Sequence, residues 1–329
     1  MISDNNPPGL PRNPLRGYLF IASAAFLWGV SATLGRAVFT GKLGFGTGSL
    51  RPIDPLILSQ TRTTFSLLVL LPVLFAFRGW QRIKLPARDL AYCFLLGTLG
   101  VAVSNYFYYL AIQRTNVAIA IVVQYTAPVW VLFYVVARGQ QKLTFQKLAA
   151  VGLAVTGIAL VIDLLHARSA SGIGLDAWGI FAALLASFSF AFYNVAGHGI
   201  LIRYDRWRVL VWTLAAAAAF WLIVNPPWKI VAAHYSPAQW LFLFVFSIIS
   251  VLGAFSLYFL GLQYLEPTRA IIVSCLEPVF SILLAGILLG EMIRPTQAVG
   301  IAFVLAAIVM VQRPDRKNSE DVLIVDPID

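Results

Sequence analysis

Glu277 and Arg62 are ionisable residues that stand inside long apolar stretches of the sequence. A charged side chain at the centre of a membrane costs about 2.5–3.5 kcal/mol on insertion scales unless it is paired or hydrated. Glu277 could therefore bind a cationic group of a substrate, carry a coupling proton, or hold two helices together. Arg62 keeps its charge, so it could bind an anionic group, pair with Glu277, or extend toward the membrane surface.

Two prolines, Pro128 and Pro278, stand near the middle of apolar stretches. A proline cannot donate the hydrogen bond to the carbonyl four residues earlier, which here belongs to Gln124 or Ser274. In a membrane, a freed carbonyl needs another partner or a polar cavity. The prolines thus predict two kinked helices beside a central site, and the alternative is a kink that serves helix packing.

Polar and aromatic side chains recur on four of the apolar stretches. An unpaired amide in hydrocarbon is costly, so these side chains are expected to face the interior of the protein. Aromatic rings beside a few polar groups are typical of a pocket for a small amphiphilic molecule. For any single tyrosine, helix packing or the membrane interface is the alternative. The residues predicted to line the pocket with Glu277 and Arg62 are Tyr106, Gln124, Asn194 and Tyr258.

The cysteines and histidines show no pattern of a metal site, a disulfide or a catalytic centre. The two cysteines fall in apolar stretches without ligand spacing, and the three histidines are scattered. The sequence contains no phosphate-binding loop and no nucleotide fingerprint. It therefore predicts no metal, no cofactor and no catalytic residue, and ATP-driven transport by this chain alone is not expected.

The composition indicates the class of protein that surrounds these residues. Of the 329 residues, 60% are hydrophobic and 12% are charged, whereas soluble domains contain about 25% charged residues. This composition predicts a polytopic membrane protein embedded in a lipid bilayer. The net charge is +10, and many of the charged residues lie in short loops between the apolar stretches. The positive-inside rule of membrane proteins explains this distribution, so no nucleic-acid partner is predicted.

Ten apolar stretches have about the length of a membrane-spanning helix, which needs roughly 20 residues. A tail at 1–17 precedes them, and a charged tail at 313–329 follows. The Gly-rich connection 39–54 is the longest. The stretches cover approximately 18–38, 55–77, 88–112, 117–137, 145–163, 174–202, 209–224, 238–262, 269–289 and 295–312.

The second part of the chain repeats the first. A shift of 150 positions aligns 108–129 with 258–279, including the two prolines, and a shift of 148 aligns AAVG at 149–152 with QAVG at 297–300. Self-similarity at a fixed spacing indicates that the same structural unit occurs twice in the fold.

The predicted repeats are 18–163 and 174–312, with five helices in each. Five is an odd number, so the second repeat enters the membrane from the opposite face. Inverted repeats of this kind are typical of secondary transporters, which bind substrate near the midplane. The predicted fold is therefore an all-α polytopic membrane protein with ten transmembrane helices in two inverted five-helix repeats.

The distribution of Lys and Arg predicts the orientation. With the N-terminus in the cytoplasm, 16 of these residues fall on the cytoplasmic side and 6 on the other side. The positive-inside rule then places both termini in the cytoplasm. The expected location is the plasma membrane, which is the inner membrane of a two-membrane cell. The sequence leaves open whether copies of the chain associate as a homo-oligomer.

Specific motifs add a family resemblance over about 18–312. Residues 275–291 read CLEPVFSILLAGILLGE, an apolar run with Glu277-Pro278 near its start and Gly-Glu at its end. Trp28-Gly29 is followed by the basic Arg36, and a second basic residue, Arg62, stands in the second helix. With these motifs the chain resembles the EamA family of the drug/metabolite transporter superfamily.

The resemblance implies ten helices and the export or exchange of small metabolites, often amino acids. The first repeat departs from the family pattern, because it has Ala127-Pro128 and Gln140-Gln141 at the positions of Glu-Pro and Gly-Glu. Equal roles for the two repeats are therefore not expected.

We accordingly expect a secondary transporter of small amino-acid-like or amphiphilic solutes, with export favoured over import. It would work by alternating access between the inverted repeats, and Glu277 is the candidate for proton coupling. A passive channel or facilitator is the main alternative. A membrane-embedded lipid-modifying enzyme is a weaker one, because no cluster of catalytic residues appears in the sequence.

Overall fold

A computed structural model describes residues 14–39, 53–115, 117–163, 176–290 and 292–312. Within these residues the chain forms ten long helices and two short connecting ones, Trp80–Ile83 and Pro227–Ala232, and no strand. The long helices are α1 (Pro14–Phe39), α2 (Pro55–Arg78), α3 (Ala87–Leu95, Leu96–Ala102 and Val103–Arg114), α4 (Val117–Gln124 and Ala127–Ala137), α5 (Phe145–Val161), α6 (Ala177–Leu201), α7 (Arg206–Val224), α8 (Pro237–Ser247, Ile248–Gly253 and Ala254–Leu262), α9 (Pro267–Ser274 and Leu276–Leu289) and α10 (Pro295–Gln312).

The predicted class of fold is confirmed. In the described part of the chain, nine helices are long and apolar enough to cross a membrane, and α5 is shorter, with 17 residues. The molecule is thus a multi-pass membrane protein. We call the end of the bundle where α1 begins and α10 ends the terminal face, and the opposite end the distal face.

Caps and prolines set several helix ends. The Asp205 carboxylate accepts a hydrogen bond from the Trp207 amide at 3.0 Å, so α7 begins at Arg206, three residues earlier than predicted. Asp54 caps α2 in the same way. α1 begins at Pro14, within the predicted tail 1–17, because a proline lacks the N–H that the first helical turn leaves unbonded.

Some predicted features lie outside the described residues. They are the first 13 residues, most of the connection 39–54, the loop 164–173 with the first two residues of the apolar stretch predicted at 174–202, the tail 313–329, Glu291 and the side chain of Arg36.

The first helix of each repeat packs against the other repeat. α1 contacts α8 and α9, and α6 contacts α3 and α4. α5 and α10, the last helices of the two repeats, pack tightly on each other. A Cβ on Gly300 would lie only 2.5 Å from the backbone nitrogen of Val161, so the two backbones approach in the way that small residues permit in membranes.

α3 and α8 each contain a π-helical segment at nearly the same place in the repeat, Leu96–Ala102 and Ile248–Gly253. Trp28 of α1 donates its indole N–H to the Ser250 carbonyl in the second segment at 3.1 Å. Tyr193 of α6 packs on Gly100 in the first segment, where an added Cβ would meet the Tyr193 Cβ at 3.0 Å. π-helical turns often occur at functional sites. Here α1 packs on the π-helical segment of α8, and α6 packs on that of α3.

Candidate substrate site at the interrupted helices

α4 and α9 are both interrupted just before a proline. α4 stops after Gln124 and resumes at Ala127, immediately before Pro128. α9 stops after Ser274 and resumes at Leu276, two residues before Pro278. A shift of 150 positions relates the two places, so each repeat has the same break in its fourth helix.

Glu277 lies at the break in α9, and its side chain is hydrogen-bonded to a residue at the break in α4. The Tyr125 hydroxyl donates to Glu277 Oε2 at 2.5 Å, a distance typical of a charge-assisted O–H···O⁻ bond. The Glu277 side chain is half-buried, whereas Tyr125 is buried. Glu277 is ten residues beyond Pro267, about 15 Å along the helix, which places the carboxylate near mid-membrane.

α1 packs directly behind this carboxylate. A Cβ on Gly29 would lie 2.7 Å from the Phe280 Cβ and 3.2 Å from the Glu277 carbonyl oxygen. Thr33, one turn further along α1, donates its hydroxyl to the Ser281 carbonyl at 3.2 Å. The Trp28-Gly29 motif therefore fixes α1 by its tryptophan on α8 and by its glycine on the Glu277 turn of α9.

Arg62 projects from α2 into the same region without an acidic partner. Its Nη1 is 3.5 Å from the Tyr109 hydroxyl, and its guanidinium carbon is 5.5 Å from the centre of the Phe246 ring. Among the described residues, no carboxylate lies within ion-pair distance of Arg62, and its buried Nε has no hydrogen-bond partner. Arg62 and Glu277 nevertheless interact electrostatically with each other and with Tyr108. The positive charge of Arg62 and the negative charge of Glu277 thus lie in one region without forming an ion pair.

Asn194 and Tyr258 form a second cluster, between α6 and α8 on the side toward the terminal face. The Asn194 amide donates to the Tyr258 hydroxyl, and both side chains are fully buried. The Tyr193 ring stacks near Tyr258 at 6.2 Å, and Trp28 lies 5.2 Å from the same ring. Among the described residues, the Tyr193 hydroxyl and Asn194 Oδ1 have no hydrogen-bond partner. This layer is therefore buried and only partly satisfied in hydrogen bonding.

The remaining predicted residues, Tyr106 and Gln124, lie on α3 and α4. Tyr106 is half-buried, and its ring packs edge-on against Phe220 of α7 at 6.5 Å. Gln124 ends the first segment of α4, and its side chain is half-buried beside the break. The structure therefore brings Glu277 and Arg62 to one region and Asn194 and Tyr258 to another.

The interrupted helices pack differently toward the two faces of the bundle. The terminal-side segments of α4 and α9, Ala127–Ala137 and Pro267–Ser274, pack together. Their distal-side segments, Val117–Gln124 and Leu276–Leu289, show no comparable packing in the described residues. Likewise α6 packs on α8, whereas α1 does not pack comparably on α3 in the described part of the chain. Glu277 and Arg62 lie where these helices diverge.

Three residues at the site were not predicted to contact substrate: Tyr125, Tyr109 and Phe246. The two tyrosines belong to the polar and aromatic set of the apolar stretches, which was the available signal. Phe246 gave no signal, because one phenylalanine in an apolar run resembles any other. In the residues that the structure describes, no three His, Cys, Asp or Glu side chains lie close enough to hold a metal ion.

Comparison with known proteins matches the chain to the model of the EamA-like transporter family over residues 15–163 and 177–313. The "Uncharacterized inner membrane transporter YicL" of Salmonella typhimurium is 23% identical over 310 residues, which are 92% of this chain and 97% of that protein. An "Uncharacterized transporter" of Archaeoglobus fulgidus is 26% identical over 264 residues, 79% of this chain and 87% of that one. A crystal structure of another protein shares the fold with a TM-score of 0.70 at 20% identity, covering 90% of this chain and 96% of that chain.

Proposed function

The chain belongs to the EamA-like transporter family, and from that membership we propose that it is a secondary transporter of small metabolites that carry both a cationic and an anionic group. Amino-acid-like solutes have this chemistry. Export is the proposed direction, as the family resemblance implies. The two repeats, 18–163 and 174–312, would supply the two halves of an alternating-access device.

The observation that carries this proposal is the pair of unmatched charges. Arg62 and Glu277 interact electrostatically, yet in the described residues neither has an oppositely charged side chain within ion-pair distance. A charge that is partly removed from water without a counter-charge is unfavourable. A zwitterion between them would offer its carboxylate to Arg62 and its ammonium to Glu277, and so neutralise both. The nearby rings of Tyr108, Tyr109 and Phe246 suit the apolar part of an amphiphilic solute.

The other predicted residues receive proposed places around this centre. Asn194 and Tyr258 would form the floor that separates the substrate from the terminal face. Tyr106 and Gln124 would line the wall formed by α3 and α4. Pro128 and Pro278 would maintain the helix breaks, whose backbone groups can then bond substrate or water. Glu277 is also the proposed carrier of a coupling proton, since a carboxyl in an apolar environment can take up a proton, whereas Arg62 keeps its charge.

The location and orientation are proposed from two observations. The relative YicL is named as an inner membrane transporter, and the excess of Lys and Arg near the terminal face supports a cytoplasmic position for both termini. With that orientation, the end at which α4 and α9 pack together faces the cytoplasm, and we propose that the described state receives substrate from the outside. Transport would alternate this state with one closed at the distal face.

The test is thermal stabilisation of the purified protein by a panel of amino acids, repeated with Glu277→Gln and Arg62→Ala. A ligand that binds only the folded state raises its apparent stability by mass action. We expect zwitterions to stabilise the wild type, and each variant to lose about 2–3 kcal/mol of binding free energy, because one buried charge is left unpaired.

Matched controls lie on the same helices. Arg78→Ala removes an arginine of α2 whose partner is Asp205 at the surface, and Glu266→Gln removes a half-exposed acid at the start of α9. Both controls should respond to zwitterions as the wild type does. Stabilisation of the wild type and of both site variants alike by neutral aromatic compounds, with none by amino acids, would show that the charges are structural and that the proposed substrate class is wrong.

A further inference from the structure

Tyr125 is the donor of the hydrogen bond that the structure shows on the Glu277 carboxylate. It belongs to the first repeat and Glu277 to the second, so this bond joins α4 to α9 at the point where their terminal-side segments stop packing together. Both residues lie within three residues of a helix break. The bond therefore sits at the apex of two diverging helices.

The position of the Tyr125 hydroxyl is fixed by its own surroundings. Its ring is buried in the core at 7% exposure, and its backbone N–H bonds to the Ile121 carbonyl at 2.9 Å. The next residue, Thr126, shares a hydrogen bond with Ser187 of α6 at 3.0 Å. The hydroxyl thus belongs to the body formed by α3, α4 and α6, whereas Glu277 belongs to the body formed by α1, α8 and α9.

The Glu277 carboxylate retains the capacity for another ligand. A carboxylate offers about four lone-pair sites, and the side chain is half-buried rather than sealed. A cationic group that reaches it forms a stronger, charge-matched bond than a neutral hydroxyl does. Such a group also has to compete with the hydroxyl already present.

We propose that Tyr125 is a positioning residue whose hydroxyl holds the Glu277 carboxylate in the empty site and is displaced by the cationic group of the substrate. Displacement removes a direct bond between the two helix bodies at the moment when the site becomes occupied. The occupied protein is then free to close its distal side. This role deepens the proposed function and rests on it for the identity of the cation as part of a substrate.

The test measures binding of charge-matched probes to the wild type and to Tyr125→Phe by thermal stabilisation. The probes are methylammonium, L-phenylalaninamide, L-phenylalanine and N-acetyl-L-phenylalanine. If the cation displaces the hydroxyl, the variant has no bond to lose, so the three probes with a cationic nitrogen should bind about tenfold more tightly. N-acetyl-L-phenylalanine, which has none, should bind both proteins equally. Tyr134→Phe is the matched control, because Tyr134 lies on the same helix and is 41% exposed.

Infrared spectroscopy supplies a readout that a merely structural role would not change. The band of Glu277 is assigned by its loss in Glu277→Gln. Removal of the Tyr125 hydroxyl should shift this carboxylate band in the ligand-free protein, and Tyr134→Phe should leave it in place. Methylammonium should shift the band in the wild type but produce a smaller change in the variant, which has already lost the bond.

The outcomes separate this role from the proposed substrate class. Equal or weaker binding of cationic probes by Tyr125→Phe, or an unshifted band, overturns the displacement role even when L-phenylalanine binds the wild type. A response to methylammonium that is enhanced in Tyr125→Phe, without any response to amino acids, supports the role and refutes the substrate class. Absence of any response, including that to methylammonium, refutes both.

Discussion

α4 and α9 occupy equivalent places in the two repeats and share an interruption before a proline, but the chemistry at the interruption differs. Tyr125 in α4 aligns with Cys275 in α9, and Ala127 aligns with Glu277. Ala127 is completely buried, whereas Glu277 is half-buried and carries the hydrogen bond from Tyr125. One copy of the break thus holds an acid and the other holds the donor that binds it.

The glycines at the start of the last helices differ in a similar way. Gly152 of α5 and Gly300 of α10 end the same motif. A Cβ on Gly300 would lie 2.5 Å from the Val161 nitrogen, whereas a Cβ on Gly152 would meet nothing within 4 Å. The same residue is therefore required for packing in one repeat and not in the other.

These differences show what the duplication preserves. The backbone geometry recurs in both repeats, because each repeat needs a broken fourth helix and a π-helical third helix. The side chains that do chemistry do not recur. If the repeats alternate as proposed, a single acid near the midplane would serve both orientations.

The first prediction places an acid at the equivalent position of the other repeat. Ala127→Glu would bury a carboxylate at a position with no exposure, and the residue equivalent to its donor is Cys275, whose thiol already bonds to the Ile271 carbonyl at 3.4 Å. An uncompensated buried charge destabilises by about 3–5 kcal/mol. Thermal unfolding in detergent and the yield of folded protein measure this loss.

The neutral variant Ala127→Gln is the control for side-chain size in that experiment. It should be destabilised by less than Ala127→Glu, because a buried amide costs less than a buried charge. Wild-type stability of Ala127→Glu would mean that both breaks are hydrated, and the difference between α4 and α9 would then be one of sequence alone.

The second prediction uses the paired glycines. Gly300→Ala forces the backbones of α5 and α10 apart and should destabilise the protein by about 1–3 kcal/mol. Gly152→Ala meets open space and should stabilise α5 by about 0.5–1 kcal/mol through helix propensity. The two variants are compared by thermal unfolding under identical conditions. Equal losses for both would show that the Gly152 surface is also an interface.

The comparison also explains how far sequence reasoning reaches. The ten helices follow from hydropathy, and Pro295 marks the start of α10, whereas the start of α7 behind Asp205 was predicted three residues too late. The breaks lie where Pro128 and Pro278 indicated a disturbance. Pairings at the site were beyond reach, because Tyr125 and Glu277 are 152 positions apart and meet only through the packing of the two repeats.

The packing partner of Tyr106 was likewise not predictable from the sequence. The sequence predicts that Tyr106 lines the pocket, and the structure adds that its ring packs edge-on against Phe220 of α7, with the ring centres 6.5 Å apart. The face that a helix residue presents depends on how the helix rotates against its neighbours. In an all-round apolar membrane helix, the sequence carries little periodic information about that rotation.

The third prediction concerns the two helices that cross onto the π-helical segments. Trp28→Phe removes the donor of the bond to the Ser250 carbonyl and part of a ring at 7% exposure, so a loss of about 1–2 kcal/mol is expected. Tyr193→Phe removes a buried hydroxyl that has no hydrogen-bond partner among the described residues, and the stability of this variant should stay within about 0.5 kcal/mol of the wild type. A larger loss for Tyr193→Phe would reveal a water-mediated bond on that side.

The fourth prediction has the smallest effect and concerns the titration of one tyrosine at each face of the bundle. The two faces differ in the residue at equivalent positions of the repeats, which is Asp89 at the start of α3 and Gln239 at the start of α8. Asp89 accepts a hydrogen bond from Tyr204 at 2.7 Å, and this bond raises the pKa of the Tyr204 phenol above its usual value. At the distal face the pKa of Tyr235 is also raised, but mainly by burial. Asp89→Asn should therefore shift the titration of Tyr204 back toward the usual range and leave that of Tyr235 unchanged.

The sign of the effect on stability follows from the direction of this pKa shift. A phenol whose pKa is raised in the folded protein stabilises the fold at pH values below the usual tyrosine range, and this contribution is lost as the pH rises through the folded pKa. The ultraviolet titration of tyrosinate should lose one late-titrating group in Tyr204→Phe and advance that group in Asp89→Asn. If Asp89→Asn left the titration of Tyr204 unchanged, burial would raise the pKa at both faces, and the chemical difference between Asp89 and Gln239 would have no electrostatic consequence there.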